Sequence, residues 1–363
     1  MTLAELIIGM MVGTIIIQVA YFGFAINRTI MLTDQLKNEA NQNLKTLFSM
    51  VGPSIQEAGQ GVGSDPMFPV ISINPDPLSP TNADGSKNSE MIIRHVVAEI
   101  SLPICNTVTV GPQTQVVVFD SSTANVGCVD TTDGNNNGLP DQIENDLTQW
   151  ENYRNQGGGT LQVYLYDGAG VGQFFNYTGV RFYNSSGGTV TTPAVSPSTA
   201  QVMKVAFLTN TTFSNSYMAG TPRRILLVKE QKYRLGYSAN AANNKPHTLQ
   251  VSTNNETPVD LISGIGQFTV TTTLQQQLTP TSSQKFECTQ ILPSIAANCS
   301  AIAPNTSSFV TSSYNWSQLY AINVTVTPQA IDPTTPSYSA TLANTVSKMT
   351  QTQKFLPRNV LNF

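Results

Sequence analysis

Apolar residues fill positions 6–26 almost without a break, in the run LIIGMMVGTIIIQVAYFGFAI, where Gln18 is the one strongly polar member. At ~1.5 Å per residue, a helix over this run spans roughly 30 Å, the thickness of a bilayer's hydrocarbon. Beyond it the apolar positions thin to one in every three or four: Ile26, Ile30, Thr33, Leu36, Ala40, Leu44, Leu47, Val51 and Ile55. That spacing makes one stripe of an amphipathic helix. Gly52-Pro53 is expected to kink or interrupt the helix, and Gly59-Gln60-Gly61 to end it. The pattern predicts one helix, apolar all round in its first half and one-sided in its second, roughly 85 Å long. A soluble domain has no use for such a rod, whereas a membrane-anchored stalk carrying a head does. Gly9, Gly13 and Gly23 lie in the apolar half, and each costs about 1 kcal/mol relative to Ala inside a helix. Local loosening between Gly13 and Gly23 is therefore expected where such stalks pack together.

From residue 65 the pattern changes. Pro66, Pro69, Pro75, Pro77 and Pro80 mark a loop region. Runs rich in Val, Ile, Thr, Tyr and Phe follow at 91–100, 115–120, 160–166, 173–183, 201–208, 223–237, 266–274 and 319–327. They read as strands, separated by clusters of Gly, Pro, Asn and Ser. With no regular helix–strand alternation, the expected fold is α+β: a hydrophobic-then-amphipathic N-terminal helix carrying a large antiparallel β-rich head. The expected division is a helix over 1–60 and a head over 61–363. Within the helix, 1–27 is the membrane or filament-core segment and 28–60 the amphipathic half.

Composition narrows the classes. Apolar residues make up 40% of the 363, so a core can form, while charged residues make up 11%, against about 25% in ordinary domains. Ser, Thr, Asn and Gln take the place of charge, which argues against a disordered chain. A net charge of −4 argues against nucleic-acid binding through bulk charge. The one basic concentration, Arg223, Arg224, Lys229, Lys232 and Arg234, reads as a solvated face or as a site for an anionic polymer. The four cysteines read as two disulfides of an exported protein. Local pairing, Cys105 with Cys128 and Cys288 with Cys299, is the simplest assignment; crossed pairings remain open.

One motif carries sharp chemistry. Residues 133–144, DGNNNGLPDQIE, fit D-x-[DN]-x-[DN]-G-x5-E without a gap. A hard cation such as Ca2+ needs oxygen donors at alternate positions of a wrapping chain. Asp133, Asn135 and Asn137 supply them at loop positions 1, 3 and 5. Leu139 offers its carbonyl, Asp141 follows, and Glu144 can be bidentate at position 12. Asp130 could supplement the set, so the calcium-type loop covers 130–145. Gly138 permits the sharp turn, and Ile143, Leu147 and Trp150 predict an exiting helix. No second loop exists for it to pair with, so a structural ion is expected rather than a sensor. The alternative is an Asn/Gly-rich surface turn without an ion. Catalysis finds little support. His95 reads as a packed strand residue and His247 as a loop residue, and the chain has no G-x-S-x-G, H-E-x-x-H or phosphate loop. No enzyme is expected.

The N-terminus, Met1-Thr2-Leu3-Ala4-Glu5-Leu6-Ile7-Ile8-Gly9-Met10, resembles the mature start of type IV pilins and pseudopilins, with Met where Phe is usual. Residues 47–59, LFSMVGPSIQEAG, resemble the helix end of PilW-like minor pilins. Fainter likenesses to that group fall at 258–265 and at 355–359. No positive charge precedes the apolar run, which opens after Glu5 and is followed by Arg28 and Lys37. A secretory signal should open with Lys or Arg, and a basic leader cut off before Met1 would remove the oddity. The resemblance implies cleavage by a prepilin peptidase and methylation of the Met1 amine. It also implies a bond from Glu5 to the Met1 amine of a neighbouring subunit. A carboxylate beside a long apolar run is costly in lipid without such a partner; the alternative is solvation by headgroups.

The expected protein is a structural subunit of a type IV pilus or pilus-like filament on the bacterial surface. Its partners would be copies of itself or other pilins, and it would be anchored in the inner membrane before assembly. A low-copy minor pilin or a type II secretion pseudopilin at a filament tip is the alternative within the family. A head of this size, with a radius of gyration near ~19 Å, fits a tip easily and makes a wide shaft. A membrane-tethered, calcium-dependent adhesin or carbohydrate-binding module is the alternative of another class.

Overall fold

The computed structural model describes residues 3–62, 68–79, 87–122, 128, 133–134, 136–168, 171–190, 202–219, 224–236, 247–254, 256–279, 282–292, 295–302, 318–329 and 348–357. Helix α1 runs over Leu3–Gln56, with Pro53 inside it. Of the expected kink or interruption at Gly52-Pro53, the interruption does not occur. Pro53 removes one N–H and crowds the preceding turn, but its own carbonyl accepts the Glu57 N–H at 2.9 Å. Leu47, Val51 and Ile55 around it are fully buried, and that burial offsets the lost bond. Gly52 also admits a close neighbour: a Cβ there would stand 2.7 Å from the Phe355 ring. The chain leaves the helix through Gly59, whose φ of 78° suits glycine and whose N–H reaches the Arg94 carbonyl at 3.0 Å.

The strands follow in the order β1 Ile71–Pro75, β2 Ser89–Pro103, β3 Gly111–Pro112 and β4 Gln115–Asp120. After α2 (Asp141–Gln156) come β5 Leu161–Tyr166, β6 Gly172–Tyr177, β7 Gly179–Tyr183, β8 Thr189–Val190, β9 Lys204–Leu208 and β10 Thr212–Phe213. The last set is β11 Arg224–Gly236, β12 His247–Thr253, β13 Val259–Thr279, β14 Ser282–Leu292, β15 Ile295–Ala301, β16 Leu319–Pro328 and β17 Gln351–Phe355. The main sheet runs β15-β14-β1-β2-β11-β12-β13-β16-β17. Because β13 also pairs with β14, it closes on itself. β5 joins it on β11, and β6 on β5. A four-stranded sheet, β4-β9-β7-β8, and the pair β10-β3 stand beside it.

Two cores lie on opposite faces of the same strands. The stripe of α1, Leu44, Leu47, Val51 and Ile55, packs with Ile93, Val96, Tyr164, Tyr166, Leu226 and Val228. The other faces of β2, β5 and β11 give Ile100, Leu102, Val163, Leu165, Ile225 and Leu227 to a second core with Ile143, Leu147 and Trp150 of α2. Strands buried on both sides lose polar alternation, and this is why 225–228 reads Ile-Leu-Leu-Val. One ion pair is set into the first core's margin. Arg94 Nε meets Glu230 at 2.7 Å, with both side chains nearly buried, and Arg94 also donates to the Pro69 carbonyl at 2.8 Å. Removing one partner of such a pair costs about 3–5 kcal/mol.

Several expectations are revised. The run 173–183 is two strands in different sheets, β6 on β5 and β7 on β9. The break falls at Thr178, whose N–H bonds the Leu208 carbonyl at 3.0 Å. Cys288 and Cys299, paired as expected, face each other across the β14–β15 hairpin. His247 opens β12 rather than lying in a loop. The stripe of α1 meets the head only from about Ala40 onward, and Ile26 and Ile30 stay more than half exposed.

Candidate functional site

The first half of α1 stands exposed, away from the other described residues. Leu3 is 80% exposed, Ile16 63% and Phe24 70%, and a Cβ added at Gly9, Gly13 or Gly23 would meet nothing within 4 Å. By length and composition α1 is a candidate membrane-spanning helix. Its polar side chains are partly withdrawn from the surroundings. The Thr14 hydroxyl donates to the Met10 carbonyl, Thr29 to Ala25 at 2.9 Å and Thr33 to Thr29 at 2.8 Å. Such i−4 bonding hides a hydroxyl against the helix backbone. The Thr spacing carries this signal, which the reading by hydropathy alone passes over. Glu5 lies within α1; its side chain, and Met1, lie outside the described residues.

The second candidate is the loop before α2. Asp133 folds it, since its carboxylate accepts the N–H groups of Asn137 at 3.2 Å and Gly138 at 2.7 Å. Asn137 holds the turn by accepting the Leu139 N–H at 2.7 Å and donates to Glu144 at 3.4 Å. Asp141 accepts the Gly134 N–H at 3.2 Å. Gly138 takes a φ of 87°, as the sharp turn requires. Leu139, Ile143, Leu147 and Trp150 anchor loop and helix to the second core. Asp133, Asn137, Asp141 and Glu144 are thus linked around one turn, while Asp130 and Asn135 lie outside the described residues. Among the described residues no three Asp, Glu, His or Cys side chains come close enough to hold a metal ion. Carboxylates brought together without a cation repel one another. The donor set present, carboxylates with an amide and a carbonyl, has the all-oxygen chemistry that Ca2+ takes.

Both cysteine pairs are bridged, Cys105 to Cys128 and Cys288 to Cys299. In the chain-entropy model a loop the length of the first is worth about 3 kcal/mol. Disulfides persist in oxidising compartments, so the bridges and the apolar helix fit a membrane-anchored protein whose head lies outside the cytoplasm. The basic residues do not gather. Arg224 is exposed at the start of β11, Lys232 stands 3.8 Å from Glu90, and Glu230 between them holds Arg94; Arg223 lies outside the described residues. His95 sits in β2, where burial first, then the neighbouring Lys229 charge, lower its pKa against an opposing pull from Glu57. Burial also lowers that of His247.

No protein-family model, curated protein or solved structure matches the chain.

Asp146 sits buried on α2. Burial raises its pKa above the ordinary carboxylate value, and the bond from Gln142, at 2.9 Å, pulls it partly back. The native state therefore holds this proton more tightly than the unfolded chain. Its contribution to stability is full below the unfolded pKa and is lost as pH rises through the native one. Asp146→Asn keeps an acceptor for Gln142 and removes the charge. It is expected to raise the melting temperature at pH 7 and to give no gain at ~pH 3, below the usual carboxylate pKa. Equal melting temperatures at pH 7 would contradict the assigned burial cost.

Proposed function

We propose that the chain is a structural subunit of a type IV pilus-like extracellular filament, with the first half of α1 in the filament core and the head outside. The observation that carries this is the bare half-helix. Large apolar side chains project from it on every side between Leu3 and Met31. At about 1.5–3 kcal/mol each when fully buried, they amount to tens of kcal/mol, more than the net stability of a whole domain. Something must cover them. The described part of the head does not, because it wraps only the second half of the same helix. Lipid can do so before assembly, and a bundle of identical helices can do so afterwards. The resemblance of residues 1–10 to pilin N-termini favours the bundle, and it assigns Glu5 to the N-terminal amine of a neighbouring copy. A low-copy subunit at a filament tip uses the same contacts. A head tethered permanently in the membrane is the competing reading.

The Asp133 loop would hold a structural Ca2+ through Asp133, Asn135, Asn137, Leu139, Asp141 and Glu144. Bound there, the ion would neutralise carboxylates that otherwise oppose loop closure. It would also pin a segment that the Cys105–Cys128 bridge constrains from the other side. Occupancy at tenfold over the dissociation constant would add about 1.4 kcal/mol. In thermal melts, the purified chain is expected to lose a few degrees when Ca2+ is chelated. Asp133→Ala and Glu144→Ala are expected to start low and to ignore chelator. Identical wild-type melts in both conditions, with no heat of binding at millimolar Ca2+, would leave the loop a plain turn.

The filament reading is tested with Glu5→Ala. The variant is expected to insert in the inner membrane at wild-type amounts and to give few surface filaments by electron microscopy. Normal filament numbers would remove Glu5 from assembly. Wild-type chain that never leaves the membrane fraction would favour the tethered reading.

A further inference from the structure

The edge of β11 is interrupted. β5 pairs along it only from Arg224 to Leu226, and β12 pairs along it only from Gln231 to Gly236. Between them the edge has no strand partner among the described residues. On the other side of β11 the ladder also slips: Leu226 opposes Ser101, but Val228 opposes Val96. Residues 97–100 of β2 thus stand opposite Leu227 alone, and Val97 is pushed out to 52% exposure. The result is an open groove of about 630 Å³, within the size range of small-molecule sites. It lies where the strands that feed both cores meet, so its walls are held from two sides.

The upper rim is shaped by an unusual backbone. Asn254 adopts a φ of 48°, a left-handed conformation that costs a non-glycine residue free energy. It is held there by two bonds to one residue: its side-chain oxygen accepts the Glu230 N–H at 2.7 Å, and its own N–H meets the Glu230 carbonyl at 2.9 Å. These bonds hold Asn254, just past the end of β12, against the middle of β11, and Asn254 and Glu256 both line the groove.

The groove floor is apolar, from Val97, Leu161, Leu227 and Val228. Around it stand Tyr153 of α2, Gln162 of β5, Asn176 of β6, Lys229 of β11 and Glu256. None of these five side chains makes a hydrogen bond or ion pair with another described residue, although both Lys229 and Glu256 are charged. The walls therefore offer donors, acceptors, planar amides and an aromatic ring at once. Their formal charges cancel: an anion would meet Glu256, and a cation would meet Lys229. An uncharged ligand, rich in hydroxyl groups and apolar on its ring faces, matches this lining. We propose that this groove binds a neutral oligosaccharide segment, with Tyr153 as the ring platform and Gln162, Asn176, Lys229 and Glu256 bonding its hydroxyls. The groove is open to solvent rather than enclosed, which suits a stretch of a longer glycan rather than a single engulfed sugar. This assignment is independent of how α1 is covered.

The test uses the full chain in a detergent without a sugar headgroup. Cellotriose, maltotriose, mannotriose and chitotriose are titrated by saturation-transfer NMR and calorimetry, with sialyllactose as the anionic control. At least one neutral trisaccharide is expected to bind. Asn176→Ala, at an exposed position without a side-chain bond to lose, and Lys229→Gln are each expected to weaken it about tenfold, one lost hydrogen-bonding contact's worth. Unchanged melting temperatures verify that both variants fold. Tyr153→Ala is expected to abolish binding, and Tyr153→Phe to retain most of it, because the platform is the ring. Three results would each overturn the proposal: no neutral trisaccharide bound, binding indifferent to both Asn176→Ala and Lys229→Gln, or tighter binding of sialyllactose that requires Lys229.

Discussion

The last turns of α1 are the nucleus on which the head closes. Leu44, Leu47, Val51 and Ile55 have no exposed surface left, and the closed sheet wraps them from β1 round to β17. Tyr233 ties the same turn by a 2.9 Å bond to Ser54, and Phe355 of the last strand packs over Gly52. That arrangement has a consequence at the other end of the helix. A rigid helix fixed by its C-terminal half projects its N-terminal half outward, and no second surface receives it among the described residues. The apolar half must be covered from outside, by lipid, by other copies, or by each in turn.

Burial on both faces of β2, β5 and β11 links this stalk to the rest of the head. The faces that meet α1 and the faces that meet α2 belong to the same backbone, one residue apart. The Asp133 loop, anchored by Leu139, is therefore joined through the second core and these strands to the core around the stalk. A change at that loop would load the strands that grip α1. The Arg94–Glu230 pair lies in this shared region, bridging β2, β11 and the carbonyl of Pro69 in the regular stretch of ladder beside the slip.

Much of this was legible in the chain. The stripe from Ala40 to Ile55 announced the helix face that the head covers. Ile143, Leu147 and Trp150 announced α2. The apolar run within 223–237 announced a strand, though not that both its faces are buried. Other elements were not legible, for identifiable reasons. Pro53 argues locally for a break, and only tertiary burial overrides it. β14 and β17 carry Gln, Lys, Ser and Thr at their outward positions, and their strand character comes from neighbours far along the chain. The division of 173–183 depends on Thr178 reaching Leu208. The groove has no sequence signature, because Val97, Tyr153, Gln162, Lys229 and Glu256 come from five separate segments. The Glu5 environment in an assembly is a property of several chains, and one sequence suggests it only through resemblance.

The central claim is that copies of α1 cover one another's apolar halves. A photoreactive residue placed at Ile16, fully outside the head and within the apolar run, reports its neighbours directly. Crosslinked material should be separated into inner-membrane and surface-sheared fractions. The account predicts chain-to-chain adducts through α1 in the sheared fraction, with lipid adducts confined to the membrane fraction. Lipid adducts alone, with no chain recovered by shearing, would contradict it.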